Sequence, residues 1–248
     1  MLAVTADPLA PLLDLPGVAD AVTASRESVD RLLGHRVLRR RSAEVSGESL
    51  LRGAWASATL AGASATLAEV RAAAPDPVVQ GALRISADLS VLAETFRTAP
   101  RQVLARLHVL AGAGLLPAAE LGRPRPGPEV AGRLETLFEV LELTSSPALV
   151  VAAIVHGELL ALDAFAPVTG LVARGAARLV LIDRGLDPRS LVPFEVGHLE
   201  LASEYEQALA DYRAGTPEGV AGWIQHCGRG LALGVRESVA MCEALQRG

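Results

Sequence analysis

The sequence predicts an all-α protein. Helical stretches rich in Ala and Leu dominate its 248 residues, and alternating strand-like runs are scarce. Punctuation agrees, with Pro near the starts of these stretches and Gly just past their ends. Half of the residues are hydrophobic, enough for one large core, while aromatics are only 3%, so Leu, Val and Ala must carry the packing.

Residues 25–33 read as a short helix ended by Gly34. The arginines of HRVLRRR (35–41) follow, and they read as a solvated face rather than a phosphate site. A long helix is expected over 48–73, with a break near Gly62 and a stop at AAPDP. Helices over 77–98 and 100–111 come next. The Gly/Pro-rich connector 112–128 is the one stretch suited to a small β-hairpin flap. A helix over 129–143 precedes Ser146 and Pro147, which read as the N-cap and first residue of an apolar helix ending at 162. Helices over 171–184, with Gly185 behind it, 193–213 and 217–246 complete the chain.

The formal net charge of −5 argues against a general nucleic-acid binder. Every basic residue apart from histidine is Arg, and Asn is missing as well. Both Lys and Asn use AA-starting codons, so the genome of a high-GC bacterium explains the bias without a functional reading. The two cysteines, Cys227 and Cys242, match neither a metal spacing nor a disulfide framework, which fits a reducing cytoplasm. The start, MLAVTADPLAPLL, lacks the basic region of a secretory signal, and 147–162 is short for a membrane span.

Common catalytic motifs fail. GAG at 112–114 is not followed by the Lys and Ser or Thr of a phosphate loop, and no Gly-x-Ser-x-Gly elbow occurs. His156 and Glu158, two residues apart, cannot share a helix face as zinc-protease ligands do. His108 reads as a satisfied core histidine, and His198 and His226 have no acid or cysteine at ligand spacing. No metal and no cofactor is therefore expected.

The stretch DAFAPVTGLVAR (163–174) follows one apolar helix and opens another. With its flanks it resembles the Fic (Fido) family, whose motif reads H-P-F-x-D/E-G-N-G-R-x-x-R. Phe165, Gly170 and Arg174 match. The flanks VVAAIVHGELLALDAF and ARGAARLVLIDRGL are similar to the family's helices on either side of the motif. Its Tyr- and Trp-containing C-terminal helices resemble EYEQALADYRAGTPEGVAGWIQHCGRGL. Upstream, VLARLHVLAGAG and LGRPRPG resemble the segment before the family's flap, and SATLAG (57–62) sits where many members carry an inhibitory S/T-xxx-E-G/N segment. The resemblance runs collinearly over about 46–245. It implies a Fic-like helical bundle, an N-terminal helical region over 1–97 containing a degenerate inhibitory segment at 50–66, and a Fic-like core over 98–248.

The resemblance also implies a damaged active site. The family transfers AMP from ATP to protein hydroxyls, using the motif histidine as base. Asp163 stands in its place and is about 2.5 units less basic. Pro167 replaces the acidic magnesium ligand, Val168 the first glycine, Thr169 the asparagine and Leu171 the phosphate-clamping arginine. Thr169, Gly170 and Arg174 remain as a weak ligand-binding set, and Phe165 as a core anchor of the loop. Ser57 and Gly62 fit the inhibitory pattern, but Ala61 replaces its glutamate. Arg174 itself reads as a surface or ion-paired arginine. The expectation is a silent Fic-like protein that binds a protein partner or a small molecule. The rival reading is an active nucleotidyl- or phosphotransferase with Asp163 as base. A homodimer is implied by resemblance alone.

Overall fold

Most helix boundaries trace to specific side chains. The computed structural model describes residues 6–73 and 75–247, so the first five residues of the stretch MLAVTADPLAPLL lie outside the described residues. After a short 3-10 helix, Ala10–Asp14, come α1 (Val18–Leu33), α2 (Leu38–Leu60), α3 (Leu67–Arg71), α4 (Pro77–Phe96), α5 (Pro100–Gly112) and α6 (Pro128–Leu143). The second half holds α7 (Ala148–Leu162), α8 (Thr169–Asp183), α9 (Phe194–Glu200), α10 (Ala202–Arg213) and α11 (Pro217–Arg247). The architecture is all-α, as the sequence predicts.

The expected 48–73 helix is two helices. α2 starts ten residues earlier, bends at Arg41, and closes at Gly62 (φ +93°). There the Gly62 and Ala63 amides donate to the Thr59 and Ala58 carbonyls, a left-handed stop that only glycine adopts without strain. α3 then restarts with a capping box between Thr66 and Glu69. α4 begins as its sequence suggests: Asp76 accepts from the amides of Val78 and Val79, and Pro77 holds the first position. α8 ends in the same way as α2, with Gly185 and Leu186 donating to Ile182 and Leu181.

Other boundaries differ. Ser146 does not cap α7, because its hydroxyl, with the Thr144 and Ser145 hydroxyls, donates to the Asp7 carboxylate, and Pro147 takes the cap position. The 193–213 helix divides at Leu201 into a buried α9 and a largely exposed α10. The connector 112–128 forms no hairpin. Its β pairing, among the described residues, is one isolated bridge between Ala113 and Leu116, and its prolines lack ladder donors.

α7 and α8 form the packed centre, apolar on nearly every side, as expected of helices with no solvent face. α4 and α5 lie on α8, α2 crosses α4 and α9, and the long α11 runs along α1, α9, α10 and α7. No helix among the described residues is long and apolar enough to cross a membrane. The arginines at 36, 39 and 40 are exposed, and Arg41 pairs with Glu44 and reaches the Leu245 carbonyl.

α9 can approach α11 because Gly197 lies against the Gly230 carbonyl; a Cβ there would overlap that oxygen. Gly197→Ala is expected to destabilise the protein by at least the ~1–3 kcal/mol typical of overpacking. That corresponds to roughly 2–4 °C of melting temperature per kcal/mol at this size. Thermal denaturation beside wild type checks it, and an unchanged melting temperature would show that the crossing is looser.

Candidate functional site

The site is assembled where α7 stops and α8 starts. α7 ends at Asp163, whose backbone is left-handed (φ +47°), a conformation Asp tolerates better than most residues. The carbonyls left over at this end accept from Arg125: Nη2 donates to Leu162 at 2.9 Å and Nε to Asp163 at 2.8 Å. The Arg125 amide also donates to the Ala164 carbonyl, so the connector is fastened to the loop by main chain and side chain together. The Asp163 carboxylate is half exposed, 3.8 Å from Arg125 Nε.

The loop then turns inward. Phe165 is buried with its ring 5.1 Å from that of His108 on α5, and its amide donates to the Thr169 hydroxyl at 2.9 Å. Thr169 thus staples the loop to the first turn of α8. Val168 and Leu171 are 4% and 2% exposed, placing apolar side chains where the family resemblance implies phosphate contacts.

Arg174 is neither on the surface nor ion-paired. It is 2% exposed, with Nε donating to the Ser57 hydroxyl at 2.8 Å and Nη2 to the Ser57 carbonyl at 2.9 Å. Nη1 lies 3.4 Å from the Tyr205 hydroxyl. No carboxylate pairs with it among the described residues. The guanidinium rests on Gly170, where a Cβ would come within 3.0 Å of it. Asp163, Thr169, Gly170 and Arg174 are therefore close in the chain but do not converge: Arg174 faces α2, and Asp163 faces Arg125. In the inhibitory-like segment Ser57 makes the contact, while Ala61 and Gly62 are exposed.

Beside the loop lies a groove of about 380 Å³ bordered by His108, Ala119, Glu120, Arg123, Arg125 and Ala166. The Arg123 guanidinium has no partner among the described residues. His108 is buried, but not satisfied: neither ring nitrogen makes a hydrogen bond of good geometry among the described residues. Burial lowers its pKa, and the Arg123 main chain and Glu120 offset this only in part.

Behind the loop, three histidines absent from the sequence-based site come together. His156 Nε2 lies 2.7 Å from the Tyr205 hydroxyl, and His198 Nδ1 lies 3.1 Å from His226 Nε2. Trp223 and Phe194 pack around them. One donor atom from each of His156, His198 and Cys227 falls within 4.8 Å of the others, the set here that could hold a metal. Chain spacing hides the cluster, since α7, α9 and α11 each supply a member. Burial, then the positive charge of Arg174, holds His156 well below the ordinary histidine range. His198 is held low by burial first and then by the neighbouring histidines. His226 is lowered to about 4, by burial and then Arg229.

No protein-family profile matches the sequence, and no curated protein matches it. Solved structures do. A Fic family protein from Desulfovibrio desulfuricans superposes with a TM-score of 0.78 at 20% identity, over 91% of this chain and 75% of that one. Fic-1 from C. elegans gives 0.73 at 17% identity, over 94% and 75%. A single-substitution variant of Fic-1 gives 0.69 at 19% identity, over 94% and 74%. The chain therefore carries the Fic fold.

The histidines give an acid-stability signature. Their folded pKa values lie below the 6.5 of an exposed histidine, so below that pH the unfolded chain binds more protons. Their contribution is complete above about pH 6.5. For His226 it is lost progressively as pH falls from there to about 4, and for His156 and His198 the loss continues lower. Each should add roughly 1.4 kcal/mol per pH unit inside its window. Urea unfolding between pH 7.5 and 5 is expected to show this decline, and His226→Leu a shallower one. A flat profile would mean the histidines are not held neutral.

Proposed function

We propose that this chain is a catalytically silent relative of the Fic proteins that acts by binding a protein partner or small ligand and transfers no AMP. The observation that carries the proposal is Arg174. The motif's surviving cation is turned inward, and its hydrogen bonds go to Ser57 and Tyr205.

A triphosphate would have to withdraw that guanidinium from bonds worth roughly 1.5–3 kcal/mol each. It would then meet Leu171 and Val168, both buried and apolar. Millimolar binding alone needs about 4 kcal/mol. One helix terminus offers at most about 1–2 kcal/mol toward it. The residue at the magnesium position, Pro167, has no side-chain oxygen. Asp163 sits beside Arg125 and lacks the surrounding charge stabilisation on which phosphoryl-type transfer depends.

The groove between the connector and Ala166 is the contact surface that suits the proposed binding role. It is concave, of ligand size, and combines the apolar Ala119 and Leu116 with an unpartnered Arg123.

Wild type and Asp163→His are both expected to incorporate no label from radiolabelled ATP with magnesium or manganese, into themselves or into lysate proteins. A base contributes about 10²–10⁴-fold, which does not replace the missing phosphate contacts. Incorporation by wild type would promote the Asp163 transferase instead. For the binding role, Ala119→Trp should fold normally and lose whatever ligand or partner wild type retains on native mass spectrometry. Equal retention by the variant would remove the groove from the account.

A further inference from the structure

The core cluster of His156, His198 and Cys227 lies behind the motif loop and shares only Tyr205 with Arg174 among the described hydrogen bonds. We propose that these three side chains form a buried site for one soft monovalent ion, copper(I), held by two imidazole nitrogens and a thiolate.

The hydrogen-bond pattern points there first. Each of the two imidazoles has one nitrogen engaged, His156 Nε2 with Tyr205 and His198 Nδ1 with His226. The other nitrogens, His156 Nδ1 and His198 Nε2, are buried and have no partner among the described residues. A buried polar atom left unpaired costs about 1–3 kcal/mol. Two such nitrogens and a thiol in one cluster are an unusual choice for a core that could use leucine. Aromatic packing against Trp223 and Phe194 accounts for the ring faces but not for the nitrogens. A metal accounts for the free nitrogens of His156 and His198, while His226 Nδ1 stays without a partner among the described residues. The ring nitrogen opposite the ligand then carries the orienting hydrogen bond, the arrangement that fixes tautomer and ring angle in known sites.

Space and geometry allow it. A cavity of about 10 Å³ is bordered by His156 and Cys227, with Ala152, Ala177 and Leu149, and His198 lies outside its lining. This is at the lower limit for a water-sized guest, and its apolar lining gives a water few partners. One ring nitrogen of each histidine and the Cys227 sulfur lie within 4.8 Å of one another. Metal–nitrogen and metal–sulfur bonds of about 2.0–2.3 Å place donors roughly 3.5 Å apart, so side-chain rotations closing about 1 Å complete the site.

Charge selects the ion. Two neutral imidazoles and one thiolate neutralise copper(I) but leave zinc(II) with a net positive charge. That charge would sit in a dry core, one hydrogen-bonded residue (Tyr205) from the Arg174 guanidinium. Zinc also favours four ligands, and no fourth His, Cys, Asp or Glu joins this cluster among the described residues. Thiolate and imidazole with low coordination number suit copper(I). Burial keeps both histidines neutral, leaving their lone pairs available at ordinary pH. It also pushes the Cys227 thiol up, so the ligand forms only as metal displaces the proton. The Cys227 sulfur–hydrogen bond breaks, the proton goes to solvent, and a sulfur–copper bond forms without change of oxidation state.

The test loads the full chain with copper(I) under a mild reductant during refolding. Free ion is removed with a copper(I) chelator, and bound metal is counted by mass spectrometry. Wild type should retain one copper per chain and show one sulfur and two nitrogen neighbours by X-ray absorption. Cys227→Ser should bind at least about tenfold more weakly, and Cys242→Ser should match wild type. Should Cys227→Ser fail to fold, His198→Gln replaces it, with the same loss expected. The proposal is overturned if folded wild type retains no copper, if Cys227→Ser retains as much, or if zinc is held in preference.

Discussion

Two arginines four residues apart on the inner face of α8 are the constraint around which this molecule is arranged. α8 is buried on all sides, so Arg174 and Arg178 cannot reach water, and an unpaired buried charge would cost several kcal/mol. α2 supplies the answer with two serines eight residues apart. Ser49 accepts from Arg178 at 2.7 Å, Ser57 accepts from Arg174, and Gly53 between them leaves the room that Arg178 and Glu195 occupy. Arg178 is completed by Glu195 at 3.0 Å and by Ser190. Among the described residues Arg174 has only neutral acceptors. The two helices are held in register by a polar seam rather than by apolar packing alone, and its members are nearly all satisfied, as a buried network requires.

That seam sets the state of the loop at the head of α8. With Arg174 drawn toward α2, the loop is free to fill with Val168 and Leu171 and to close through Phe165 and Thr169. Its outer edge is fixed by Arg125, which serves as the C-terminal cap of α7. Phe165, Thr169 and Arg174 thus find their partners within the chain. The silent-binding proposal rests on this arrangement more than on any single substitution.

Much of the fold was legible because its signals are local. Gly34, Gly62 and Gly185 sit past helix ends, Pro77 and Pro100 begin helices, and α7 and α8 are apolar enough to be read as central. The misreadings arise where distant residues decide. Ser146 is a good cap by type, but Asp7, far away in the chain, takes its hydroxyl. Arg174 reads as a surface residue because nothing within its own helix reveals Ser57. The connector has turn residues for a hairpin, but its prolines and its attachment to Ala164 prevent a ladder. For the site, the loop residues were legible, but their orientation was not. The histidine cluster left no trace in chain spacing, since its members come from α7, α9 and α11; three isolated histidines in apolar helices were its one available signal.

The interaction between Ser57 and Arg174 can be measured directly by a double-mutant cycle. Ser57→Ala, Arg174→Leu and the double variant would be compared with wild type by urea unfolding at neutral pH. Hydrogen bonds to a charged group in a buried site predict a coupling energy of about 1.5–3 kcal/mol, with the double variant less destabilised than the sum of the singles. Strict additivity would contradict the account. It would mean that the Ser57 hydroxyl does not hold the guanidinium, and that Arg174 is freer to receive an anion at the head of α8 than the account requires.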